Sequence, residues 1–543
     1  MSNAYFKVPV PTNEPILSYA PGTKERAEIK AELKKLQEQE IEVPLIIGGK
    51  EVRTGNLGEM VEPHNHSKVL GHFHKAGKEE VQMAIDAALK ARKEWAEMPW
   101  EQRVAVFLKA AELLSGPWRA RLNAATMLGQ SKTVFQAEID SACELIDFWR
   151  FNSYYMAELM KDQPYSPKGM WNRVEYRALE GFIFAVTPFN FTSIAGNLPT
   201  APALVGNVVL WKPASSAVYS AYQLMLLFKE AGFPDGVINF VPGSGASVGR
   251  PALESPDLAG IHFTGSTATF QNMWRTVGNN ISNMKYYPRI VGETGGKDFI
   301  FVHKDADIDG VVVAALRAAF EYQGQKCSAA SRMYMPKSRY DEFKEKYVAE
   351  VAKIKVGDVE DFTNFMSAVI DKAAFDNITG YIKYAAESDE AEFITGGNYD
   401  DSKGYFIEPT TIVTTNPKFK SMQEEIFGPV LTIYVYDDDK FEETLELCDT
   451  TSPYALTGAI WSQDRHVLNY MEQRLRNAAG NFYINDKPTA AVVGQQPFGG
   501  GRASGTNDKA GSAMNLLRWM SARTLKETFT PPHDWTYPFM GEE

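Results

Sequence analysis

Between residues 181 and 275 short apolar runs alternate with helical stretches, and that rhythm restricts the possible folds more than any other feature. V-V-L-W (208–211) reads as a buried strand, 215–231 as a helix and 237–241 as a second strand. G-I-H-F-T (260–264) makes a third, followed by Gly265, Ser266 and a helix from about Thr269. Short apolar strands separated by helices of about 10 to 15 residues pair in parallel, so a doubly wound α/β sheet is expected. Residues 174–187 read as a strand followed by a buried strand, and a second α/β series runs from Phe299 to about Asn485. One core cannot serve 543 residues, so two or three domains are expected.

The flanks are simpler. Residues 24–41 read as an exposed amphipathic helix rich in Glu–Lys pairs. Residues 79–114 are helical with a break at Pro99, and a further helix is expected from about Lys132 to Met160. Residues 161–168 form a polar, proline-bearing connector. After Arg502 the chain is irregular and ends in the strand-like M-S-A-R-T-L-K-E-T-F. There is no internal repeat and no low-complexity tract.

Composition excludes several roles. A formal net charge of -12 argues against a nucleic-acid partner and against an anionic membrane surface. The most apolar region, 181–211, is broken by Pro188, Asn190, Asn197, Pro199 and Pro202, whereas a bilayer span needs about 18 to 20 unbroken apolar residues. The first residues lack the apolar stretch of a secretory signal, and the first Arg is Arg26, among acidic residues. The expected place is therefore cytoplasmic, or the mitochondrial matrix if the source is eukaryotic. Cys143, Cys327 and Cys448 are odd in number and far apart, which fits a reducing compartment without disulfides.

The chemistry centres on E-Y-Q-G-Q-K-C-S-A-A-S-R (321–332), which surrounds Cys327 with small and amide residues. Upstream, V-G-E-T-G-G-K-D-F sets Glu293 beside two glycines. A thiol nucleophile with a carboxylate base is one reading; an inert packing cysteine and a solvated loop glutamate are the other. In V-T-P-F-N-F-T (186–192), Asn190 follows a buried strand, where its amide either donates to an oxyanion or only shapes a turn. G-S-G-A-S-V-G (243–249) and F-T-G-S-T (263–267) each join a strand to a helix, where backbone N–H groups could cradle a dinucleotide's phosphates. His64, His66, His72 and His74 make two H-x-H pairs in an apparent hairpin; no Cys or acidic cluster accompanies them, so no metal is expected. Cys143 and Cys448 sit in helical patterns and read as packing residues.

T-P-F-N-F, W-K-P, F-T-G-S-T, E-T-G-G-K, G-Q-K-C-S, E-E-I-F-G-P-V and Q-P-F-G-G occur in that order over roughly 180–505. The series resembles the aldehyde dehydrogenase superfamily. F-E-Y-Q-G-Q-K-C-S-A, R-N-A-A-G-N-F-Y-I-N-D-K, V-G-Q-Q-P-F-G-G and R-A-S-G-T-N-D-K resemble its Δ1-pyrroline-5-carboxylate dehydrogenase branch. The resemblance implies an α/β aldehyde dehydrogenase-like fold. It has a Rossmann-type NAD-binding domain (1–160 and 181–294), an α/β catalytic domain (295–502) and a β oligomerisation arm (161–180 and 503–543).

By the same resemblance Cys327 is the nucleophile, Glu293 the base and Asn190 part of the oxyanion hole. NAD is held by Thr187, Lys212, Gly265, Ser266, Thr267, Ala268, Thr269, Glu425 and Phe427. Ser328 and the N–H groups of Ala490 and Ala491 anchor the α-carboxylate of L-glutamate γ-semialdehyde, with Phe191 and Phe498 boxing its aliphatic chain. Relatives often carry Gly at the first residue of the 490–491 pair. Ser215 stands where many members carry a Glu that would repel a 2′-phosphate, so the choice between NAD and NADP stays open. The arm implies a homodimer or higher homo-oligomer. Rival readings are an aldehyde dehydrogenase for another aldehyde or for acyl-CoA formation, and a catalytically silent binding protein on the same fold.

Overall fold

The computed structural model describes residues 4–543. Two seven-stranded sheets carry the molecule. The first runs, in spatial order, Arg289–Glu293, Leu258–Thr264, Phe182–Val186, Val209–Lys212, Ile238–Phe240, Leu45–Ile47, Lys50–Val52. Its first five strands are parallel and the last two close the edge antiparallel. Both sheets bear out the α/β expectation. The apolar runs F-I-F-A-V and L-A-G-I-H-F-T are buried because helices cover both faces.

Strand order fixes where a ligand can sit. From Phe182–Val186 the chain moves to one side through Val209–Lys212 and Ile238–Phe240, then returns to lay Leu258–Thr264 and Arg289–Glu293 on the other. A crevice opens where the order reverses, beyond the carboxyl ends of Phe182–Val186 and its neighbours. Thr187, Asn190 and Gly265 all follow those ends.

The second sheet runs Ala391–Thr395, Thr410–Thr414, Val430–Tyr436, Ala330–Pro336, Asp298–Val302, Thr457–Trp461, Asn481–Ile484. Only its first pair is antiparallel. The strands Met170–Ala178 and Met520–Thr528 pair antiparallel outside both sheets.

Several local expectations need correction. The helix expected from Lys132 instead starts at Val134, passes through a π-helical turn at Glu138–Glu144 and continues as Leu145–Leu159. A helix over Arg119–Gln130 went unread, because residues 122–130 are buried and show no amphipathic stripe. The Lys24–Gln37 helix is not wholly exposed: Ile29 and Leu33 are buried. His64 lies in the turn between strands Leu57–Glu62 and Asn65–His74 and shares a 2.9 Å hydrogen bond with Ser131. His74 contacts the Glu42 carboxylate and His66 the Asp401 carbonyl, so the histidines go to separate partners. Among the described residues no group of three or more His, Cys, Asp or Glu could hold a metal, and no helix is long and apolar enough to cross a membrane.

Candidate active site

Cys327 lies in the turn between the Glu321–Gly324 helical turn and strand Ala330–Pro336. The approach to it is contorted: Tyr322 and Gln323 both take left-handed backbone angles (φ 50° and 55°). Their side chains secure that conformation, Tyr322 Oη donating to the Gln130 carbonyl at 3.0 Å and Gln323 Nε2 to the Ser131 and Ala368 carbonyls. From the other side the Thr294–Lys297 segment presses in. A Cβ on Gly296 would stand 2.4 Å from the Cys327 carbonyl oxygen, and one on Gly295 would stand 2.1 Å from the Glu425 carboxylate. At Gly296, where the neighbour is backbone, only glycine allows that approach.

Two cavities meet at the thiol. A cleft of about 890 Å³ and a pocket of about 430 Å³ share one lining residue, Cys327. The cleft is the crevice beyond the reversed strands, lined by Thr187, Asn190, Lys212, Gly265, Ser266, Thr269, Glu425 and Phe427. Thr267 and Ala268 do not line it; they face an adjoining groove with Tyr454, since the first turn of helix Thr267–Asn280 directs them away.

The cleft fits a nucleotide-like ligand. Ser266 and Ser244 cap two helix N-termini that border it, where backbone N–H groups favour phosphate. Gly245 and Gly249 line the wall, and a Cβ on either would meet nothing within 4 Å, leaving room for a flat ring. Buried Lys212 donates to the Pro213 carbonyl at 3.0 Å, and burial lowers its pKa to about 8. An ammonium so placed gains from a polar ligand. Burial raises Glu425 to about 7, restrained by the Gly296 N–H and by Lys297.

Asn190 donates one Nδ2 proton to the Gln325 carbonyl at 3.0 Å, which fixes its amide and leaves the other N–H for the cleft it shares with Cys327. Burial, then the nearby carboxylates of Glu293, Asp298, Glu425 and Glu144, hold the Cys327 thiol well above the ordinary range. That environment favours the neutral thiol of Cys327 over the thiolate. Glu293 ends its strand and lines neither large cavity; it borders a void of about 40 Å³ beside Glu144, Phe498 and Asp508. Burial raises its carboxyl to about 8, with Lys509 opposing and Asp508 adding to the shift. A carboxyl of that pKa can exchange protons near neutrality, and it is near enough to act electrostatically on the Cys327 thiol.

The smaller pocket gathers Phe191, Ser328, Ala490, Ala491 and Phe498, the group expected to hold substrate. Ser328 and Thr489 share a 2.8 Å hydroxyl hydrogen bond. Ala490 takes φ 67°, the left-handed conformation that a glycine would adopt more readily. The pocket is also lined by ionisable groups of both kinds, Arg317, Lys326 and Lys487 against Glu14, Glu144, Asp147 and Glu321. Lys132 sits over the rings of Phe191 and Tyr322 at 4.1 and 4.5 Å and fixes the Phe191 wall.

Sequence reasoning missed several of these residues. Glu144 and Ile139 reach the pocket through the π-helical turn, Phe135 comes from the helical turn Val134–Ala137 before it, and Asn13, Glu14 and Ile16 come from the N-terminal segment. Thr489 was readable as a polar neighbour of the 490–491 pair. Cys143, read as packing, is buried but lines the pocket. Asp140 in the π turn accepts the N–H groups of Thr192 and Ser193 and the Lys132 ammonium, so it fastens the start of helix Thr192–Leu204.

Comparison with known proteins agrees with this geometry. A model of the aldehyde dehydrogenase family matches residues 52–525. The mitochondrial Δ1-pyrroline-5-carboxylate dehydrogenase of Dictyostelium discoideum is 53% identical over 540 residues, covering 99% of this chain and 97% of that one. The NAD-bound crystal structure of the Mycobacterium tuberculosis enzyme of that name aligns with a TM-score of 0.96 and 50% identity, covering 100% of both chains. The NAD-bound enzyme from Thermus aligns at 0.90 with 34% identity, over 96% of this chain and 100% of that one. The chain belongs to the aldehyde dehydrogenase family.

Proposed function

We propose that this protein oxidises L-glutamate γ-semialdehyde, the open form of Δ1-pyrroline-5-carboxylate, to L-glutamate with NAD, in proline catabolism. The observation that carries the reading is that Cys327 alone joins the nucleotide-fitting cleft to the smaller pocket. An aldehyde carbon at the thiol then lies between its own binding pocket and the hydride acceptor.

Cys327 loses its proton to the base Glu293 or to water and attacks the aldehyde carbon. The carbonyl oxygen becomes an oxyanion held by the free Asn190 N–H and the Cys327 backbone N–H. Lys212, Gly265, Ser266, Thr269, Glu425 and Phe427 would hold NAD in the cleft, where it would supply the acceptor for the hydride. Once the hydride has gone, the Cys327 sulfur carries a thioester. Glu293 takes a proton from water, whose oxygen attacks the thioester carbon; the carboxylate leaves and the thiolate is restored.

The pocket suits an amino acid. Ala490 and Ala491 have no partner for their backbone N–H groups, and with Ser328 they offer three donors to an α-carboxylate. Glu144, which accepts from Ser193 and is raised by burial to about 8, is the carboxylate nearest in role to an α-ammonium partner. A plain alkanal leaves those groups unpaired. Catalytic efficiency for glutamate semialdehyde should exceed that for pentanal by at least about tenfold, the factor carried by about 1.4 kcal/mol. Equal kcat/KM values would refute the substrate assignment.

The arm strands Met170–Ala178 and Met520–Thr528 form a two-stranded sheet with open edges, and we assign a homodimer as the minimal assembly. Sedimentation of a monomer at micromolar concentration would exclude it. In a eukaryotic source the enzyme would sit in the mitochondrial matrix, and otherwise in the cytoplasm.

A further inference from the structure

One wall of the substrate pocket comes from outside the span that the family match covers. That match begins at residue 52, yet Asn13, Glu14 and Ile16 line the pocket. Residues 5–20 contain no helix or strand. They are nevertheless pinned at close intervals. The Glu14 carboxylate takes Arg119 and Arg150, each at 2.6 Å. Arg119 donates to the Pro15 carbonyl at 2.7 Å, while the Leu17 N–H and the Tyr19 hydroxyl donate to Glu138 at the start of the π turn.

Asn13 carries this strap across to the loop that bears the proposed carboxylate anchor. Its Nδ2 donates to Asp147 Oδ2 at 2.8 Å and to the Val493 carbonyl at 2.7 Å. Its Oδ1 accepts from Gln495 Nε2 at 2.9 Å. The other oxygen of Asp147 accepts the Glu14 N–H at 2.8 Å, so the helix side of the bridge is doubly tied. The loop side has little else. Within residues 490–496 the remaining hydrogen bonds are local: Gln495 and Gln496 N–H to the Val492 carbonyl, and Val492 N–H to Gln496 Oε1. The hydrogen bonds that tie this loop to the rest of the described residues are those made by Asn13. The same loop contains Ala490 in its left-handed conformation, which an L side chain holds only when the surroundings enforce it.

We propose that Asn13 is a specificity-determining positioning residue, holding the 490–495 loop so that the Ala490 and Ala491 N–H groups face the substrate carboxylate. This rests on the semialdehyde reading above. Without Asn13 the loop loses its external hydrogen bonds and the two donors lose their fixed direction, whereas the thiol and the nucleotide cleft are untouched.

The test is Asn13→Ala in the full-length enzyme, with glutamate semialdehyde and pentanal as paired substrates. KM for the semialdehyde should rise about tenfold with a much smaller change in kcat, as expected for losing oriented hydrogen bonds to a charged group. Efficiency with pentanal should move by less than about threefold. Amide hydrogen exchange in the peptide covering 490–496 should quicken. Parallel loss on both aldehydes, or an unchanged preference, would overturn the proposal, as would unchanged exchange in that peptide. If Asn13→Ala does not fold, Gln495→Ala removes one of the same bonds from the loop side and should shift the preference in the same direction; no shift there overturns the proposal too. If the wild type shows no preference between the aldehydes, the semialdehyde reading fails, and the exchange result still decides whether Asn13 positions the loop.

Discussion

The cleft and the pocket on either side of Cys327 are built by opposite strategies. The cleft draws mostly on residues 184–276, on strand ends, helix N-termini and small side chains. The pocket draws on segments as far apart as Asn13 and Phe498, and its character comes from charged and aromatic side chains. One site is made of backbone that the sheet topology places automatically. The other is made of side chains that the whole chain must converge to deliver. Chemistry common to a family can therefore rest on the first, while substrate choice resides in the second.

The sharpest break in that comparison is at the junction. Cys327→Ser should lower NADH formation by at least about a thousandfold, within the range seen when a nucleophile is lost. NAD affinity by calorimetry should stay close to wild type, because the cleft is intact. A large loss of NAD affinity would mean that the two sites are not separable. Cys143→Ala and Cys448→Ala should retain most turnover.

The next effect concerns the base behind the junction. Glu293 must be ionised to accept a proton, and its pKa is raised to about 8. Wild-type turnover should thus rise with pH through about 8. Glu293→Gln should remove that limb and lower the rate by about 10²–10⁴-fold, the usual yield of a general base. The stability sign is opposite: a carboxyl raised on folding from 4.5 to about 8 contributes fully below 4.5 and loses that contribution as pH rises to about 8. Thermal melts should show Glu293→Gln gaining on wild type between pH 4.5 and about 8 and keeping a constant advantage above that. A rate limb unchanged in the variant would assign the titration to another group.

Ser328→Ala sharpens the pocket side. It should reduce kcat/KM for glutamate semialdehyde by about tenfold, the equivalent of about 1.4 kcal/mol, and harm pentanal less. KM for NAD should not move. The smallest effect falls on the cleft side, where Gly245→Ala places a methyl in open space within the cleft. KM for NAD should rise several-fold with no change in KM for the aldehyde. Cross-effects in either variant would erase the distinction between the two sites.

Legibility in the sequence followed the same division. Strand–turn–helix rhythm pointed to the crevice and to Asn190 and Gly265 at its strand ends, while Thr187 and Lys212 were named only through the family resemblance. Glu144 and Phe135 could not be placed that way. Glu144 arrives through the π turn at Glu138–Glu144 and Phe135 from the short helical turn just before it, and the π turn departs from the 3.6-residue period on which face assignments depend. Asn13 lies in a segment with no periodicity at all. Helix Arg119–Gln130 escaped because a helix buried all round offers no stripe to read. Thr267 and Ala268 were grouped with their neighbours as one turn, whereas the helix that begins there sends successive residues in different directions.

The Asn13 bond to Val493 spans 480 residues of chain. Translation adds about 5–20 residues per second, so the two partners emerge roughly half a minute to a minute and a half apart. Throughout that interval the N-terminal strap has no loop to grip. A nascent or truncated chain can complete the first sheet and its cleft, but its aldehyde pocket cannot close until synthesis is nearly finished. Competence to select a substrate is thereby reserved for chains made almost to the end.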